Sequence, residues 1–297
     1  MSFYKYVNTN ALEHIINGSI RFTQPGGFND PFELALEIFN PDAGNGEKIK
    51  INLDLFPVNT DIKKYLINEK ISDPCCNDIF FRQLIKQLNS MIGILCLTKN
   101  PKSHLMWAHY ADDYSGALIQ LDENHDFFAG AFEVQYSPTR PIVHINYFKE
   151  NESIAIPNLC IKSDIWSYEN EWRVIRSLEN CDLIKAKHKN FDIYTMNIPL
   201  EAIQSVTFGE RCPIEVQRNI FNKLKQTHIA LDIAVLSNRE YEFENEILKH
   251  NVPLGDSPPI ISPITAPIFE NEEGVIGDRA KNILAHDIRR DIIKLRL

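Results

Sequence analysis

The sequence predicts an α+β fold, because short segments typical of strands are interspersed with short amphipathic segments typical of helices. The first 23 residues show both kinds of segment. Residues 3–7 predict a strand, residues 11–17 a helix, and residues 20–23 a second strand. Asn8, Thr9 and Asn10 supply N-cap chemistry for this helix, and Gly18 supplies its C-cap.

The same pattern continues to about residue 250. Ser103 predicts the N-cap of a short helix at residues 104–111, and an amphipathic pattern predicts a second helix at 213–226. Further strands are predicted at 91–98, 116–122, 132–136, 173–176, 191–198, 205–209 and 230–236, with an edge strand at 241–243.

Composition narrows the classes of function. The chain has 31 basic and 40 acidic side chains, a net charge of −9. This balance argues against a protein that coats nucleic acid, although it leaves room for a local basic groove. The six cysteines form no C-x-x-C pair, which argues against a zinc ribbon. We see no secretory signal and no apolar run of the ~20 residues that a membrane helix needs, so we expect a cytoplasmic protein with reduced thiols.

The composition also predicts how the chain is divided. We expect one α+β domain over residues 1–250, with an insertion at about 40–90. Residues 251–269 are rich in proline and predict an extended linker. Residues 270–297 predict a C-terminal amphipathic helix, in which 279–297 combine an apolar stripe with a basic face. Such a helix either docks on a partner or a second copy of the chain, or packs back on the domain.

The segment 166–175, Trp-Ser-Tyr-Glu-Asn-Glu-Trp-Arg-Val-Ile, places two acids among aromatic rings just ahead of a strand. A carboxylate held in a partly dry aromatic pocket can act as a general base or stabilise positive charge. Glu169 and Glu171 are therefore candidate catalytic residues. The structural alternative is that one of them pairs with Arg173 or Lys162.

Two other segments contribute candidates. In the loop at 24–33, Asn29 and Asp30 favour a turn that is either structural or part of a site. In the helix at 104–111, Trp107 and Tyr110 lie three residues apart and share a face. That face either packs on the sheet or stacks on a flat ligand ring. His104 and His109 are five residues apart, a spacing that argues against a metal pair.

Taken together, several motifs resemble a bacterial family catalogued only as a domain of unknown function and common in mobile elements. The resemblance spans roughly residues 3–240 and implies no activity. Its motifs are Phe3-Tyr4-Lys5-Tyr6, Phe28-Asn29-Asp30-Pro31-Phe32, Leu105-Met106-Trp107-Ala108-His109-Tyr110-Ala111 with Gly116, Trp166-x-Tyr168-Glu169-x-Glu171-Trp172-Arg173, and Ile203-x-x-Val206-x-Phe208-Gly209.

More distantly, three segments are similar to ADP-ribosyltransferase domains: the opening strand-helix-glycine-strand, the helix with Trp107 and Tyr110, and the Glu-x-Glu before a strand. This resemblance implies a split, mainly antiparallel β-sheet core flanked by short helices. It also implies that NAD is the substrate and that no metal is required. The chain departs from that family's pattern at its first strand, which offers Tyr4, Lys5 and Tyr6 instead of histidine.

The resemblance assigns roles by position. Glu171, preferred to Glu169 because it directly abuts the strand, would stabilise an oxocarbenium-like state as the nicotinamide–ribose bond breaks. Tyr110 and Trp107 would stack the leaving ring. Lys5 or Tyr6 would bind the ribose or the pyrophosphate, and Arg21 would join Lys5 at the pyrophosphate. The predicted catalytic residues are thus Glu171, Glu169 and Tyr110, and the predicted cofactor-binding residues are Tyr4, Lys5, Tyr6, Arg21, Asn29, Asp30, Trp107, His109 and Tyr168.

We therefore carry three functional hypotheses. The first is a toxin or defence effector that transfers ADP-ribose from NAD to nucleic acid or protein. The second is a non-catalytic module that binds a nucleotide or peptide and recruits a partner through its C-terminal helix. The third, less favoured, is a metal-dependent nuclease that uses Asp30, Glu33 and Glu171.

Overall fold

A computed structural model describes residues 2–39, 74–144 and 159–287. The chain divides into two compact units, each built from separate segments of the sequence. Unit 1 comprises Met1–Ile20, Leu97–Ala129 and Asn197–Leu297, and unit 2 comprises Arg21–Cys96 and Gly130–Met196.

The secondary structure consists of short strands and mostly short helices. The strands are β1 (Ser2–Val7), β2 (Ser19–Phe22), β3 (Glu37–Phe39), β4 (Ile92–Thr98), β5 (Ala117–Asp122), β6 (Phe132–Glu133), β7 (Gln135–Ser137), β8 (Ile142–His144), β9 (Ile161–Ser163), β10 (Glu171–Ser177), β11 (Asp182–His188), β12 (Phe191–Asn197), β13 (Ile203–Phe208), β14 (Ala230–Leu236) and β15 (Phe243–Lys249). The α-helices are α1 (Thr9–Ile16), α2 (Pro74–Met91), α3 (His104–Tyr110), α4 (Ile214–Leu224), α5 (Ala266–Phe269) and α6 (Val275–His286).

Unit 1 is built on a sheet in which β15, β14, β13, β5 and β1 lie side by side in that order. Only the β13–β14 pair among these neighbours is parallel. Gln120 on β5 lies opposite both Tyr4 and Ser205, and Thr207 lies opposite Asp232. Residues directly opposite each other share a face of the sheet, so polar side chains follow one another across neighbouring strands.

Helices α1 and α4 pack together in unit 1. The side chain of Asn8 caps α1 by accepting a hydrogen bond from the Ala11 N–H, at 2.8 Å. Each helix buries one apolar stripe, formed by Leu12, Ile15 and Ile16 in α1 and by Ile220, Phe221 and Leu224 in α4. Full burial of each such side chain stabilises the fold by roughly 1.5–3 kcal/mol.

Unit 2 contains most of β4 with β10 and β6 following it in the sheet, and a second sheet in which β11, β12 and the end of β2 follow one another. Two short parallel pairs, β3–β8 and β7–β9, complete its strands within the described residues. An apolar core packs around Leu34, Leu36, Leu84, Leu88, Ile94 and Leu159. This core draws side chains from α2, β4 and the loops before β3 and β9.

The predicted α+β class, with a mainly antiparallel sheet and several short helices, is confirmed. The sequence did not predict β11, whose residues are all exposed and lack apolar alternation. The predicted edge strand at 241–243 begins only at Phe243.

The proline-rich segment differs from an extended linker at its end. There α5 is buried along its whole length, and Arg218 donates hydrogen bonds to the carbonyls of Pro267 and Ile268. Part of the predicted C-terminal helix is observed as α6. The insertion was predicted at about 40–90, and its residues 40–73 lie outside the described residues, whereas residues 74–90 belong to α2. The basic end of the C-terminal segment, residues 288–297, also lies outside the described residues. The domain boundaries stay predictions.

Candidate functional site

The two glutamates of the Trp166–Ile175 segment meet at one lysine in unit 2. A 3₁₀ helix, Asp164–Glu169, ends at Asn170, which adopts a left-handed conformation with φ of 44°. Asparagine tolerates this conformation better than most residues, and here it separates the 3₁₀ helix from β10. The carboxylates of Glu169 and Glu171, on either side of it, both lie against the Lys162 ammonium, with N–O distances of 2.6 and 3.0 Å.

Arg173 joins the same group from β10. Its guanidinium is 0% exposed and donates to Glu171 Oε1 at 2.9 Å, to Glu33 Oε1 at 2.5 Å and to the Leu159 carbonyl at 2.6 Å. We call Glu33, Lys162, Glu169, Glu171 and Arg173 the buried ion cluster. Its three acids and two cations satisfy one another, as buried charges must.

The cluster fixes the charge of Glu171. Burial alone would raise the pKa of this carboxyl, but the positive charges of Arg173 and Lys162 outweigh burial and lower the pKa to about 2. For Glu33 the balance is reversed, since burial raises its pKa despite the nearby Arg173. Both oxygens of Glu171 are engaged by cations. This geometry supports the structural alternative stated for the segment, and the catalytic role of Glu171 and Glu169 stays a prediction.

Aromatic rings line the cluster. The Lys162 ammonium lies 5.0 Å from the centre of the Trp166 ring, a cation–π contact. The Tyr168 ring centre lies 6.1 Å from that of Trp166, and burial raises the pKa of Tyr168. Tyr136 accepts a hydrogen bond at 2.8 Å from the Glu171 N–H. Two aromatic rings of the segment, those of Trp166 and Tyr168, therefore lie beside the buried ion cluster.

The loop with Asn29 and Asp30 is tied to the cluster through Glu33. Asp30 accepts a hydrogen bond from the Phe32 N–H at 2.9 Å, which closes a local turn. Asn29 accepts from the Lys189 ammonium at 3.0 Å. Glu33 and Glu171 share Arg173 as a partner, so a metal held by these two acids would have to displace a buried arginine. The geometry thus favours the ion pair over the nuclease hypothesis.

In unit 1, the first strand orients its three predicted residues differently. Tyr4 faces a cavity, and Lys5 lies on the opposite face because side chains alternate along a strand. Tyr6 is buried, and its hydroxyl donates to the Asn100 carbonyl at 3.1 Å and accepts from the Ser103 N–H at 3.3 Å. Burial raises the pKa of Tyr6, so this hydroxyl stays protonated.

Trp107 is positioned by α3 and the turn that follows it. Ser103 caps the helix by accepting from the Met106 N–H at 3.3 Å. The Trp107 ring packs edge-on against Tyr6, at 5.2 Å between centroids, and lies 6.1 Å from Phe243. Gly116 ends this turn, and the position requires glycine because an added Cβ would lie 2.0 Å from the Val7 carbonyl oxygen.

The cavity has a volume of about 450 Å³ and lies on the polar face of the unit 1 sheet. Its aromatic side chains are those of Tyr4, Trp107 and Phe243. The remaining lining residues are Pro101, Lys102, Leu118, Gln120, Ser205, Thr207, Asp232, Ala234, Glu242, Glu244 and Asn245. The carboxylates of Asp232 and Glu242 and the ammonium group of Lys102 are therefore available at the cavity. Glu244 lies opposite Val235, on the other face of β15, and accepts a hydrogen bond from Ser237.

Asp232 is the most perturbed of these groups. Burial raises the pKa of its carboxyl to about 6, and the charge of His250 opposes this shift. No described residue makes a hydrogen bond or an ion pair with this carboxylate. Glu242 is paired with Lys102 at 3.4 Å, and Ser205 donates to Gln120 at 3.0 Å. The Asp232 carboxylate can therefore accept a hydrogen bond from a ligand.

The predicted site residues are divided between the two units, and those of unit 1 lie partly in the cavity and partly outside it. Tyr4 and Trp107, both predicted to bind a cofactor, line the unit 1 cavity. Tyr110 and His109 pack against each other with ring centres 6.2 Å apart, and like Lys5 and Tyr6 they are not among its lining residues. Arg21, Asn29, Asp30, Tyr168, Glu169 and Glu171 belong to unit 2.

Sequence reasoning missed Asp232 and Phe243. The available signal was an acid inside the otherwise apolar strand Ala-Leu-Asp-Ile-Ala-Val-Leu of residues 230–236. A lone carboxylate in such a strand faces the opposite side from its apolar neighbours, and here that side is the cavity. No comparable signal singled out Phe243 before the register of β15 was known.

Within the described residues, no helix combines the length and apolar character needed to cross a membrane. No curated protein and no solved structure matches the chain. A DUF2971 domain, a protein family of unknown function, is found at residues 106–174. This segment begins in α3 and ends in β10. The match covers less than a quarter of the chain, and it shows only that this segment is similar to that family.

Proposed function

We propose that unit 1 binds a nucleotide that carries a positively charged aromatic ring, and that this nucleotide is NAD in its oxidised form. The observation that carries the proposal is the pairing of aromatic and acidic side chains in one cavity, with Asp232 at its polar side. The volume of about 450 Å³ lies within the range of small-molecule sites.

A cationic ring suits this lining for two physical reasons. The faces of Tyr4, Trp107 and Phe243 present negative potential to a cation. Asp232 and Glu242 outnumber Lys102, so the lining has an excess of negative charge when Asp232 is ionised. The pyridinium ring of oxidised NAD carries a positive charge, and the dihydropyridine ring of reduced NAD does not. The site should therefore prefer the oxidised form.

The same site supports the ADP-ribosyltransferase hypothesis as a proposal about activity. Such an enzyme would release nicotinamide and pass ADP-ribose to nucleic acid or protein, in a toxin or defence effector. The support is the resemblance in sequence and a cavity suited to the nicotinamide ring. The non-catalytic alternative is binding without release, with residues 279–297 recruiting a partner or a second copy of the chain.

The test is calorimetric titration of the full chain with oxidised and reduced NAD at pH 7.5. We expect the oxidised form to bind about tenfold more tightly, since a cation–π contact contributes roughly 1–2 kcal/mol. Asp232→Asn should remove much of that preference. Glu246→Gln, a carboxylate on β15 that does not line the cavity, should leave it unchanged. Equal affinity for the two forms would overturn the proposal.

Assay of nicotinamide release from NAD by the wild type then separates the two activities. Release that is abolished in a folded Glu171→Gln variant supports the enzyme and its predicted glutamate. Tight binding without release supports the non-catalytic module.

A further inference from the structure

Two polar side chains at the unit 1 cavity, those of Thr207 and Asp232, have no hydrogen-bond partner in the described part of the fold. Both residues line the cavity, and Thr207 is only 6% exposed. Within residues 2–39, 74–144 and 159–287, no group forms a hydrogen bond with the Thr207 hydroxyl or the Asp232 carboxylate. Buried polar groups nearly always have partners, so an unmet hydroxyl beside an unmet carboxylate indicates a place for a ligand.

The register of the strands places these two side chains next to each other on one face of the sheet. Thr207 on β13 lies directly opposite Asp232 on β14 in a parallel pair. Neighbouring strands are about 4.8 Å apart, so one small planar group can reach both side chains. A hydroxyl can donate a hydrogen bond, and an ionised carboxylate only accepts. We call these two side chains the hydroxyl–carboxylate pair.

The neighbouring polar residues on β13 and β5 differ, because the fold itself supplies their partners. Ser205 donates to Gln120 Oε1 at 3.0 Å. Gln120 Nε2 donates to Ser2 Oγ at 3.0 Å and to Gln204 Oε1 at 2.9 Å. Gln120 therefore uses both of its N–H groups inside the sheet. The hydroxyl–carboxylate pair, in contrast, is left available to a molecule in the cavity.

We propose that the hydroxyl–carboxylate pair recognises the uncharged carboxamide of the nicotinamide ring and excludes the corresponding carboxylate, nicotinate. The carboxamide N–H would donate to Asp232, and the carboxamide oxygen would accept from the Thr207 hydroxyl. Nicotinate has no N–H for Asp232 and places a second negative charge beside it, which opposes binding. This inference rests on the proposed binding of NAD, and it identifies the two side chains by which unit 1 selects its ligand.

Three dinucleotides test this inference separately from the proposed function. Reduced NAD keeps the carboxamide and loses the charge of the ring, whereas nicotinic acid adenine dinucleotide keeps that charge and loses the carboxamide. In calorimetric titration of the full chain at pH 7.5, we expect oxidised NAD to bind at least about a hundredfold more tightly than the nicotinic acid form. Equal affinity for these two overturns the inference. Equal affinity for oxidised and reduced NAD, with the nicotinic acid form excluded, overturns the preference for a cationic ring and supports the carboxamide assignment.

Two variants then assign the selection to the pair. Thr207→Val removes the hydroxyl and should weaken oxidised and reduced NAD equally, by about tenfold, because this hydrogen bond does not depend on the charge of the ring. Thr195→Val, a buried threonine of β12 in unit 2, is the matched control and should leave both affinities unchanged. Asp232→Asn should raise the affinity for the nicotinic acid form at least about tenfold, since an amide can donate to a carboxylate. Thermal unfolding without ligand confirms that each variant folds, and the comparison of ligands on the wild type needs no variant. Selection that is unchanged in folded Thr207→Val and Asp232→Asn overturns the inference.

Discussion

Glu171 of unit 2 and Asp232 of unit 1 are both strand carboxylates removed largely from water, yet their charge states are set in opposite directions. The pKa of Glu171 is lowered to about 2, and that of Asp232 is raised to about 6. Burial raises the pKa of both groups. The difference is that Arg173 and Lys162 contact Glu171, and no described cation bonds to Asp232.

This contrast shows which kind of buried acid can serve a ligand. Glu171 has its attraction for positive charge satisfied inside the fold, so the ion cluster contributes to cohesion among the loop with Glu33, β9 and β10. Burial destabilises the charged form of Asp232, and no described residue forms an ion pair or hydrogen bond that offsets this cost. A cationic ligand can supply that partner, and this unmet attraction is the reason for placing the ring of NAD beside Asp232.

The largest expected effect comes from breaking the ion cluster. Arg173→Met leaves Glu171 and Glu33 buried with fewer partners, and removal of one member of a buried ion pair costs about 3–5 kcal/mol. The measurement is the free energy of unfolding in urea. Arg176→Met, on the same strand but partly exposed, is the control and should cost under about 1 kcal/mol. A similar loss in both variants would mean that the cluster contributes no special stability.

The free energy of unfolding as a function of pH tests this contrast, because the contributions of the two carboxylates change with pH in opposite directions. Glu171 has a folded pKa below its ordinary value of 4.5, so its contribution is present above pH 4.5 and is lost as the pH falls toward 2. The shift corresponds to about 3 kcal/mol. Asp232 has a folded pKa above its ordinary value of 3.8, so its contribution is present below pH 3.8 and is lost as the pH rises through about 6.

Glu171→Gln should therefore flatten the acid side of the profile and lower stability at neutral pH. Asp232→Asn should be more favourable relative to wild type at pH 7 than at pH 4. Urea midpoints of both variants and the wild type between pH 3 and 8 measure these changes. If both substitutions changed the pH dependence of the urea midpoint in the same direction, burial and pairing with cations would not explain the two pKa shifts.

Local patterns predicted most of the fold. The caps at Asn8 and Ser103 and the apolar stripes of α1 and α4 depend on residues a few positions apart, so they can be found in a sequence. Strand β11 was not predicted because it has no buried face and therefore no apolar alternation in its sequence. The end of the proline-rich segment escaped because its burial depends on Arg218, about fifty residues earlier.

The candidate sites divide in the same way. Lys162, Glu169, Glu171 and Arg173 are close in sequence, so ion pairing was a visible alternative. Glu33 lies 140 residues from Arg173, and nothing local shows that they meet. In the cavity, Tyr4 was predicted from the resemblance, and Trp107 from both the resemblance and its spacing to Tyr110. The role of Asp232 depends on which face of β14 is open, and this is decided by the pairing of β13 with β14.

The smallest expected effect concerns an ion pair that water reaches. Lys102 and Glu242 face each other across 3.4 Å at the unit 1 cavity, but the Lys102 side chain is 75% exposed. Exposed pairs contribute about 0–1 kcal/mol and are screened by salt. Lys102→Met should change the free energy of unfolding by less than about 1 kcal/mol, and the change should fade in 1 M sodium chloride. A loss as large as that of Arg173→Met would show that burial is not what separates the two regions, because the same pairing of a cation with a carboxylate would then be equally strong in water.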